Sequence, residues 1–254
     1  MQNYKMDNSE RTRLLSLPRY QAGETAILGR KTFFTDAASA VSTFDSVFEE
    51  EVYCFESDSS SPLIIDGGAN IGLSVFYFKT LFPNSRIIAF EPDPMLFKTL
   101  SKNVEVWNLQ NVLFFDKALW SEETEIEFWH EGADGGRAID IPDVRKAIKV
   151  KTSILSKYLE TKVDFLKLDI EGSEYEVLAE SEKKLKNAER IYIEYHSFKD
   201  RPQKLGEILS ILQKNSFRYS IREHGATCRQ PFIQRREYLG IDLLLHIFAY
   251  KESR

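Results

Sequence analysis

Leu-Ile-Ile-Asp-Gly-Gly-Ala-Asn-Ile-Gly, residues 63–72, is the stretch that decides the fold of this 254-residue chain. The apolar run at its start predicts a short strand that is buried on both faces of a parallel sheet. Gly67 and Gly68 allow a tight turn, and Gly72 allows the next helix to pack closely. Apolar residues then recur at helical spacing as far as Phe82. Strand, glycine turn and helix together predict a nucleotide-type cofactor site at the carboxyl end of the strand.

The acidic residue that follows the apolar run indicates the cofactor. A dinucleotide site has the pattern Gly-x-Gly-x-x-Gly, whereas the spacing here is Asp66-x-Gly68-x-x-x-Gly72. The carboxylate of Asp66 would repel a pyrophosphate, but it would tolerate S-adenosylmethionine, which carries an ammonium and a sulfonium. We expect the turn from Gly68 to Gly72 to hold the methionine portion, whose carboxylate can accept backbone N–H bonds at the helix start.

A second acidic residue ends the next predicted strand, residues 86–90. Glu91, followed by Pro92, lies 19 residues after Gly72, close to the ~20-residue spacing of an acid that binds a ribose. Its two oxygens can accept hydrogen bonds from both ribose hydroxyls. After a third predicted strand, residues 111–115, Asp116 can recognise the adenine amino group and Ala118 can let the ring lie flat. A charged turn without ligand contact is the alternative, and it stays open.

Two further strands bring the candidates for catalysis. Asp169 and Glu171 follow a strand predicted at residues 163–168, and we assign them to chemistry because ligands bind at strand carboxyl ends. Asp169 is also assigned to the cofactor, whereas Glu174 is attributed to a favourable interaction with a helix dipole. His196 ends the next strand, and its ordinary pKa near neutrality makes it the first candidate for the catalytic base. A hydrogen-bonded structural histidine is the alternative, and it stays open.

Arg137, Glu194 and His196 are assigned to the substrate. Arg137 lies in a glycine-containing loop, and Glu194 shares strand parity with His196, so both point to one face. A metal-assisted variant stays open, in which Asp169, Glu194 and His196 would bind Mg²⁺ through a mainly oxygen ligand set. No metal site is assigned.

The composition excludes several classes of protein. A net charge of −5 and a pI near 5.6 argue against a dedicated nucleic-acid binder, which would carry a basic face. The two cysteines, Cys54 and Cys228, fit no metal-binding spacing. The N-terminus has no apolar core of a signal peptide, and no run approaches the ~20 apolar residues of a membrane span. We therefore expect a cytoplasmic protein without membrane contact, and a homodimer stays open.

The chain divides into a cap segment, residues 1–61, and a cofactor-binding domain, residues 62–254. Within the cap, residues 24–35 predict a hairpin or extended arm, and residues 37–55 predict a helix. We expect this helix to cover the cofactor pocket; a helix that only caps the sheet edge is the alternative, and it stays open. Residues 241–250 predict a last strand, and it should run antiparallel because no helix separates it from a nearby partner. The fold class is therefore α/β, with a doubly wound, mostly parallel sheet and an N-terminal helical or extended cap.

Two motifs resemble signatures of the FkbM family of S-adenosylmethionine-dependent methyltransferases. The residues from Asp66 to Gly72, with Asn70 at the asparagine position, resemble the family's Asp-x-Gly-Ala-Asn-x-Gly signature. The residues from Asp169 to Glu174 resemble its Asp-x-Glu-Gly-x-Glu signature. The resemblance covers roughly residues 45–223. It implies a seven-stranded Rossmann-like sheet of class I methyltransferases, in the order 3-2-1-4-5-7-6, with the last strand reversed.

The resemblance also implies methylation of hydroxyl oxygens in sugars, polyketides or other small molecules. The residues assigned to the cofactor are Asp66, Gly67, Gly68, Asn70, Gly72, Glu91, Pro92, Asp116, Ala118 and Asp169. Two other classes stay open. One is a catalytically silent protein that only binds S-adenosylmethionine. The other is an NAD-dependent oxidoreductase on the same architecture, against which the glycine spacing and Asp66 argue.

Overall fold

The computed structural model describes residues 4–129, 147–224, 230, 232–234, 237 and 240–252. The helices, in chain order, are α1 (Asn8–Leu15), α2 (Ala37–Phe44), α3 (Leu73–Leu81), α4 (Pro94–Val106), α5 (Glu174–Ser181) and α6 (Leu205–Lys214). The strands are β1 (Gly23–Ile27), β2 (Arg30–Phe34), β3 (Leu63–Gly67), β4 (Arg86–Phe90), β5 (Val112–Phe115), β6 (Lys117–Trp120), β7 (Glu125–Trp129), β8 (Ala147–Ile154), β9 (Phe165–Leu168), β10 (Arg190–Phe198), β11 (Arg218–Glu223) and β12 (Ile241–Tyr250). Shorter helical turns are Asp45–Glu49, Leu155–Tyr158 and Glu182–Asn187.

A seven-stranded sheet forms the centre of the fold, in the spatial order β5-β4-β3-β9-β10-β12-β11. Its strands are parallel except β12, which runs antiparallel to both of its neighbours. Numbered along the chain within this sheet, the order is 3-2-1-4-5-7-6, so the predicted fold class and the reversed last strand are confirmed. The chain leaves β3 for β4 on one side and later places β9 on the other, which opens a crevice at the carboxyl ends of these strands.

Helix α3 is buried around its whole circumference from Leu73 to Lys79, although the sequence predicts one apolar face. Aromatic residues of the cap segment cover its outer side. Phe48 packs edge-to-face on Tyr77 with ring centres 5.4 Å apart, and Tyr53 packs on Phe78 at 5.8 Å. The cap segment therefore shares one hydrophobic core with the sheet. The division at residue 61 stays a prediction.

The cap segment has the predicted hairpin, because β1 and β2 pair antiparallel. The predicted helix over residues 37–55 is shorter than expected. It begins after Asp36, whose side chain accepts the N–H of Ser39, and its last helical turn ends at Glu49. A second small sheet, in the order β6-β8-β7, stands beside the carboxyl end of β5. Among the described residues, none of the helices has the length and apolarity that a membrane crossing needs.

Candidate functional site

Two cavities meet at the carboxyl ends of β3, β4 and β9. The residues that line both are Gly68, Asn70, Asp169 and Glu171. The smaller cavity also contains Glu91, Pro92 and Ala118 in its wall. The larger one, about 280 Å³ in volume, extends toward β10 and the cap segment. The fold thus brings most of the predicted site residues to one place.

The shared wall exists because two loops touch through their backbones. Gly68 has a φ of +79°, and a Cβ added there would lie 1.8 Å from the carbonyl oxygen of Asp169. Only glycine fits this contact, since no side chain can occupy that space. Gly72 has a φ of +92°, and its Cβ would lie 2.6 Å from Leu100 of α4. The close packing predicted at Gly72 is therefore present, but its partner is a helix rather than the strand.

The N–H groups of the glycine turn are engaged within the protein. Those of Gly68 and Ala69 both donate to the carbonyl of Phe90, at 3.0 and 2.9 Å, and that of Asn70 donates to Oε2 of Glu91 at 2.8 Å. They hold the turn against the end of β4. These three groups are consequently not open to a cofactor carboxylate, which leaves for that role the helix start expected from the sequence, the first turn of α3.

Glu91 is 5% exposed and lies in the wall of the smaller cavity. One of its oxygens accepts the N–H of Asn70, and the other accepts that of Asp93 at 2.9 Å. Burial raises the pKa of Glu91 to about 8, although both N–H bonds act in the opposite direction. Each oxygen keeps a further lone pair, so the carboxyl group can also accept bonds from a ribose.

The two residues predicted at the adenine differ in their placement. Ala118 lies in β6 and is part of the smaller cavity's wall, whereas Asp116 is exposed and lies outside that wall. The sequence did not identify the other contributions of the small sheet, which come from Lys117, Leu119 and Phe128. The residues of β7 and β8 alternate between apolar and polar, which is typical of strands, but this pattern does not show that the strands stand beside this site.

Asp66 is fully buried and lines neither cavity, although the sequence assigned it to the cofactor. Its Oδ2 accepts the hydroxyl of Ser74 at 2.5 Å. Its Oδ1 lies 3.2 Å from the ammonium of Lys167. The structure thus places Asp66 beneath the glycine turn, where it binds other parts of the protein.

Lys167 is a site residue that the sequence analysis missed. It is 2% exposed, and its ammonium lies 2.7 Å from the carbonyl oxygen of Gly68 and 3.4 Å from Oδ2 of Asp169. Burial alone would lower the pKa of Lys167, but the carboxylates of Asp66 and Asp169 outweigh it and raise the pKa. The signal was present, because a lysine between two leucines in a doubly buried strand needs a charged partner.

His196 lies in the wall of the larger cavity, between two carboxylates. Its Nδ1 is 3.1 Å from Oε1 of Glu174, and its Nε2 is 3.6 Å from Oε2 of Glu171. A carboxylate can only accept, so Nδ1–H donates to Glu174. The same Glu174 oxygen accepts the N–H of Gly172 at 2.9 Å, which fixes it in place. Glu174 therefore orients the histidine, a role that the helix-dipole interpretation did not include.

His196, Glu171 and Asp169 have displaced pKa values. Burial alone would lower the pKa of His196, but Glu171 and Glu174 raise it well above its ordinary value. Burial raises the pKa of Glu171 to about 8 against the effect of His196. Burial also raises the pKa of Asp169 to about 6, against the effect of Lys167. This part of the site is therefore rich in groups that can exchange a proton near neutral pH.

Glu194 also faces the larger cavity, and a second histidine stands behind it. Arg222 lies 3.2 Å from Nδ1 of His246. Arginine can only donate, so Nδ1 accepts and the proton of His246 is on Nε2, which faces Oε1 of Glu194 at 3.7 Å. Burial would raise the pKa of Glu194, but His246 and His196 lower it to about 2. The ring of His224 stacks on His246 with ring centres 4.3 Å apart.

Within the part of the chain that the structure describes, two sets of side chains have donor atoms within 4.8 Å of one another: Asp169, Glu171 and His196, and Glu194, His224 and His246. Neither is the set predicted from the sequence. In the second set, the proton on Nε2 of His246 opposes a metal, which needs the lone pair of that nitrogen. In the first set, the bond to Glu174 leaves Nε2 of His196 available, so these three residues could hold a cation.

The remaining assignments concern residues far from the glycine turn in sequence. Arg137 lies outside the described residues. The cap segment contributes side chains to the larger cavity that the sequence did not specify: Arg19, Ser42, Thr43 and Ser46. The cap therefore covers the pocket, as predicted for residues 37–55, and part of it forms the pocket wall.

A model of the methyltransferase FkbM domain matches residues 66–219, more than half of the chain. The chain belongs to this family. Membership of the FkbM methyltransferase family confirms the resemblance seen in the two motifs. It also supports S-adenosylmethionine as the cofactor predicted from Asp66 and Glu91, and it argues against the nicotinamide alternative.

Similar proteins support the same family. Methyltransferase sdnD of Sordaria araneosa is 28% identical, over 53% of this chain and 66% of that protein. The 2-O-methyltransferase NoeI of Sinorhizobium fredii is 25% identical, over 54% of this chain and 65% of that protein. The chain thus spans just under two thirds of the length of these relatives. The crystal structure of methyltransferase FkbM from Methylobacillus flagellatus KT is similar in fold, with a TM-score of 0.51 and 18% identity over 79% of this chain and 46% of that chain.

Proposed function

We propose that the chain transfers a methyl group from S-adenosylmethionine to a hydroxyl oxygen of a small-molecule or sugar acceptor. The observation that carries this proposal is the placement of His196. Its Nδ1 is held by Glu174, and it lies in the larger cavity beside the wall shared with the smaller one. The family and the name of the relative NoeI, a 2-O-methyltransferase, support an oxygen acceptor.

Each residue then has a role in an in-line displacement. S-adenosylmethionine supplies an activated methyl group: a carbon–oxygen bond forms while the carbon–sulfur bond breaks, and the electron pair stays on sulfur. His196 takes the hydroxyl proton on Nε2, and Glu174 stabilises the imidazolium through Nδ1–H. Glu91 accepts hydrogen bonds from the ribose hydroxyls. Asp169, in the shared wall, provides negative charge beside the positive end of the cofactor, and Glu171 lines the same wall.

The protonation state of His196 must change for this role. Its raised pKa favours the imidazolium in the free protein. We expect His196 to lose that proton once a cationic cofactor occupies the adjoining cavity, because like charges disfavour each other. A neutral imidazole then faces the acceptor.

The first test is calorimetric titration of S-adenosylhomocysteine, with NAD as the control ligand. Wild type should bind S-adenosylhomocysteine with micromolar affinity and should not bind NAD. Glu91→Ala should lose about tenfold or more in affinity, as expected when two hydrogen bonds to the ribose are removed. Glu105→Ala, an exposed change on α4, is the matched control and should bind like wild type. Binding of NAD, or no binding of S-adenosylhomocysteine, would contradict the proposal.

The second test is a screen for methyl transfer from labelled S-adenosylmethionine to a panel of hydroxylated small molecules. Binding of the cofactor without transfer to any of them would favour the catalytically silent alternative. Once an acceptor is found, exhaustive EDTA treatment separates the two ways of activating it. Turnover that survives EDTA supports His196 as the base. Turnover that is lost and then restored by Mg²⁺ would instead assign Asp169, Glu171 and His196 to a metal.

A further inference from the structure

The ammonium of Lys167 stands between the two loops that form the shared wall. Four oxygens lie within 3.4 Å of it, from Gly67, Gly68, Asp66 and Asp169. Two of its three protons are donated to the carbonyl oxygens of Gly67 and Gly68, and the carboxylates of Asp66 and Asp169 lie beside the third. Lys167 therefore acts on the ligand through the groups that it holds.

The groups around Lys167 would repel one another without it. Two carboxylates and two carbonyl oxygens all direct negative charge toward the same point, and Lys167 and Asp66 are almost fully buried. The positive charge allows Asp169 to remain beside the turn, and it draws the carbonyls of Gly67 and Gly68 inward. Of the two carboxylates, only Asp169 reaches the cavity walls.

We propose that Lys167 is a positioning residue for the amino-acid end of the cofactor. It clamps the glycine turn to Asp169 and holds that carboxylate where the cofactor's ammonium binds. This inference rests on the proposed function. The adenosine end depends on a different set of residues, because Glu91 and Ala118 line the smaller cavity, whereas Lys167 lines only the larger one.

The test compares two ligands that share the adenosine part. S-adenosylhomocysteine carries the amino-acid end, and 5′-methylthioadenosine lacks it. Both are titrated calorimetrically into wild type, Lys167→Met and Lys157→Met, the last being a change of an exposed lysine on the surface. Lys167→Met should lower the affinity for S-adenosylhomocysteine by about tenfold or more, and the affinity for 5′-methylthioadenosine by less than about twofold. Lys157→Met should leave both affinities unchanged.

The ratio of the two affinities separates positioning from general damage to the fold. A parallel loss for both ligands, or no loss for either, would overturn the inference while leaving the proposed function intact. If wild type binds neither ligand, the proposed function fails and the inference fails with it. Should Lys167→Met not fold, Asp66→Asn/Lys167→Met removes the buried carboxylate together with its partner, and the same change in the ratio is expected.

Discussion

His196 and His246 lie on neighbouring antiparallel strands, β10 and β12, and each has a glutamate as its partner. They differ in which nitrogen bears the proton. His196 donates from Nδ1 to Glu174, whereas Nδ1 of His246 accepts from Arg222. The same pair of residue types thus forms two opposite arrangements. The group at Nδ1, which is Glu174 for His196 and Arg222 for His246, determines which nitrogen of each ring carries the proton and whether Nε2 can accept one.

The difference assigns separate roles to the two histidines. With its proton on Nδ1, the neutral form of His196 has a lone pair on Nε2, in the wall of the larger cavity. With its proton on Nε2, His246 is a fixed donor behind Glu194, and it is only 1% exposed. Glu194 is consequently kept ionised, which suits recognition of a hydroxyl group. The comparison predicts that only His196 can act as a base.

The largest expected effect comes from removing each histidine in turn. His196→Asn should lower kcat by about 10²- to 10⁴-fold, the usual contribution of a general base, with unchanged affinity for S-adenosylhomocysteine. His246→Asn should lower kcat by less than about fivefold, because Glu194 then loses only the nearby imidazole N–H, 3.7 Å away, and the base is untouched. The measurement is methyl transfer to the acceptor found in the screen. Equal losses in the two variants would show that the comparison is wrong.

A smaller effect is expected when the orienting carboxylate is neutralised. Glu174→Gln should lower kcat by about 10- to 100-fold, as for other partners that fix a histidine tautomer. Glu207→Gln is the matched control, since Glu207 is exposed on α6 and pairs with the neighbouring Lys204. Wild-type turnover in Glu174→Gln would contradict the inference that Glu174 orients His196.

The pH dependence of Glu174→Gln gives a second readout with a fixed sign. Glu174 and Glu171 raise the pKa of His196, and Glu194 contributes in the same direction. Loss of one carboxylate lowers that pKa, so the rise of kcat/KM with pH should begin at lower pH than in wild type. A shift to higher pH, or no shift, would mean that a group other than His196 causes the rise of kcat/KM with pH.

Much of the fold could be predicted from short sequence segments. The apolar run before Asp66, the spacing to Glu91 and the parity of residues along β10 are local patterns, and each led to the correct strand or cavity wall. Strand ends in a parallel sheet converge by geometry, so His196 could be placed near Asp169 without knowing any contact.

The parts that could not be predicted depend on contacts between distant segments. Lys167 binds the carbonyl of Gly67, which is 100 residues away in sequence. Asp66 was assigned to the cofactor because its carboxylate at a strand tip would tolerate a cationic ligand, whereas in the structure it is buried against Ser74 and Lys167. The sequence predicts only a helix-dipole interaction for Glu174, because it lies at the start of a helix, whereas its contact in the structure is with His196 on β10.

The smallest expected effect tests what determines the tautomer of His246. Arg222→Met removes the donor to Nδ1, and turnover should change by less than about threefold because the base is untouched. Long-range ¹H–¹⁵N spectra of wild type should show His246 protonated on Nε2, and the variant should lose that preference. The Nε2 lone pair would then become available beside Glu194 and His224, so Arg222→Met should bind Zn²⁺ more tightly than wild type. An unchanged tautomer and an unchanged Zn²⁺ affinity would mean that Glu194 alone, and not Arg222, sets the proton on His246.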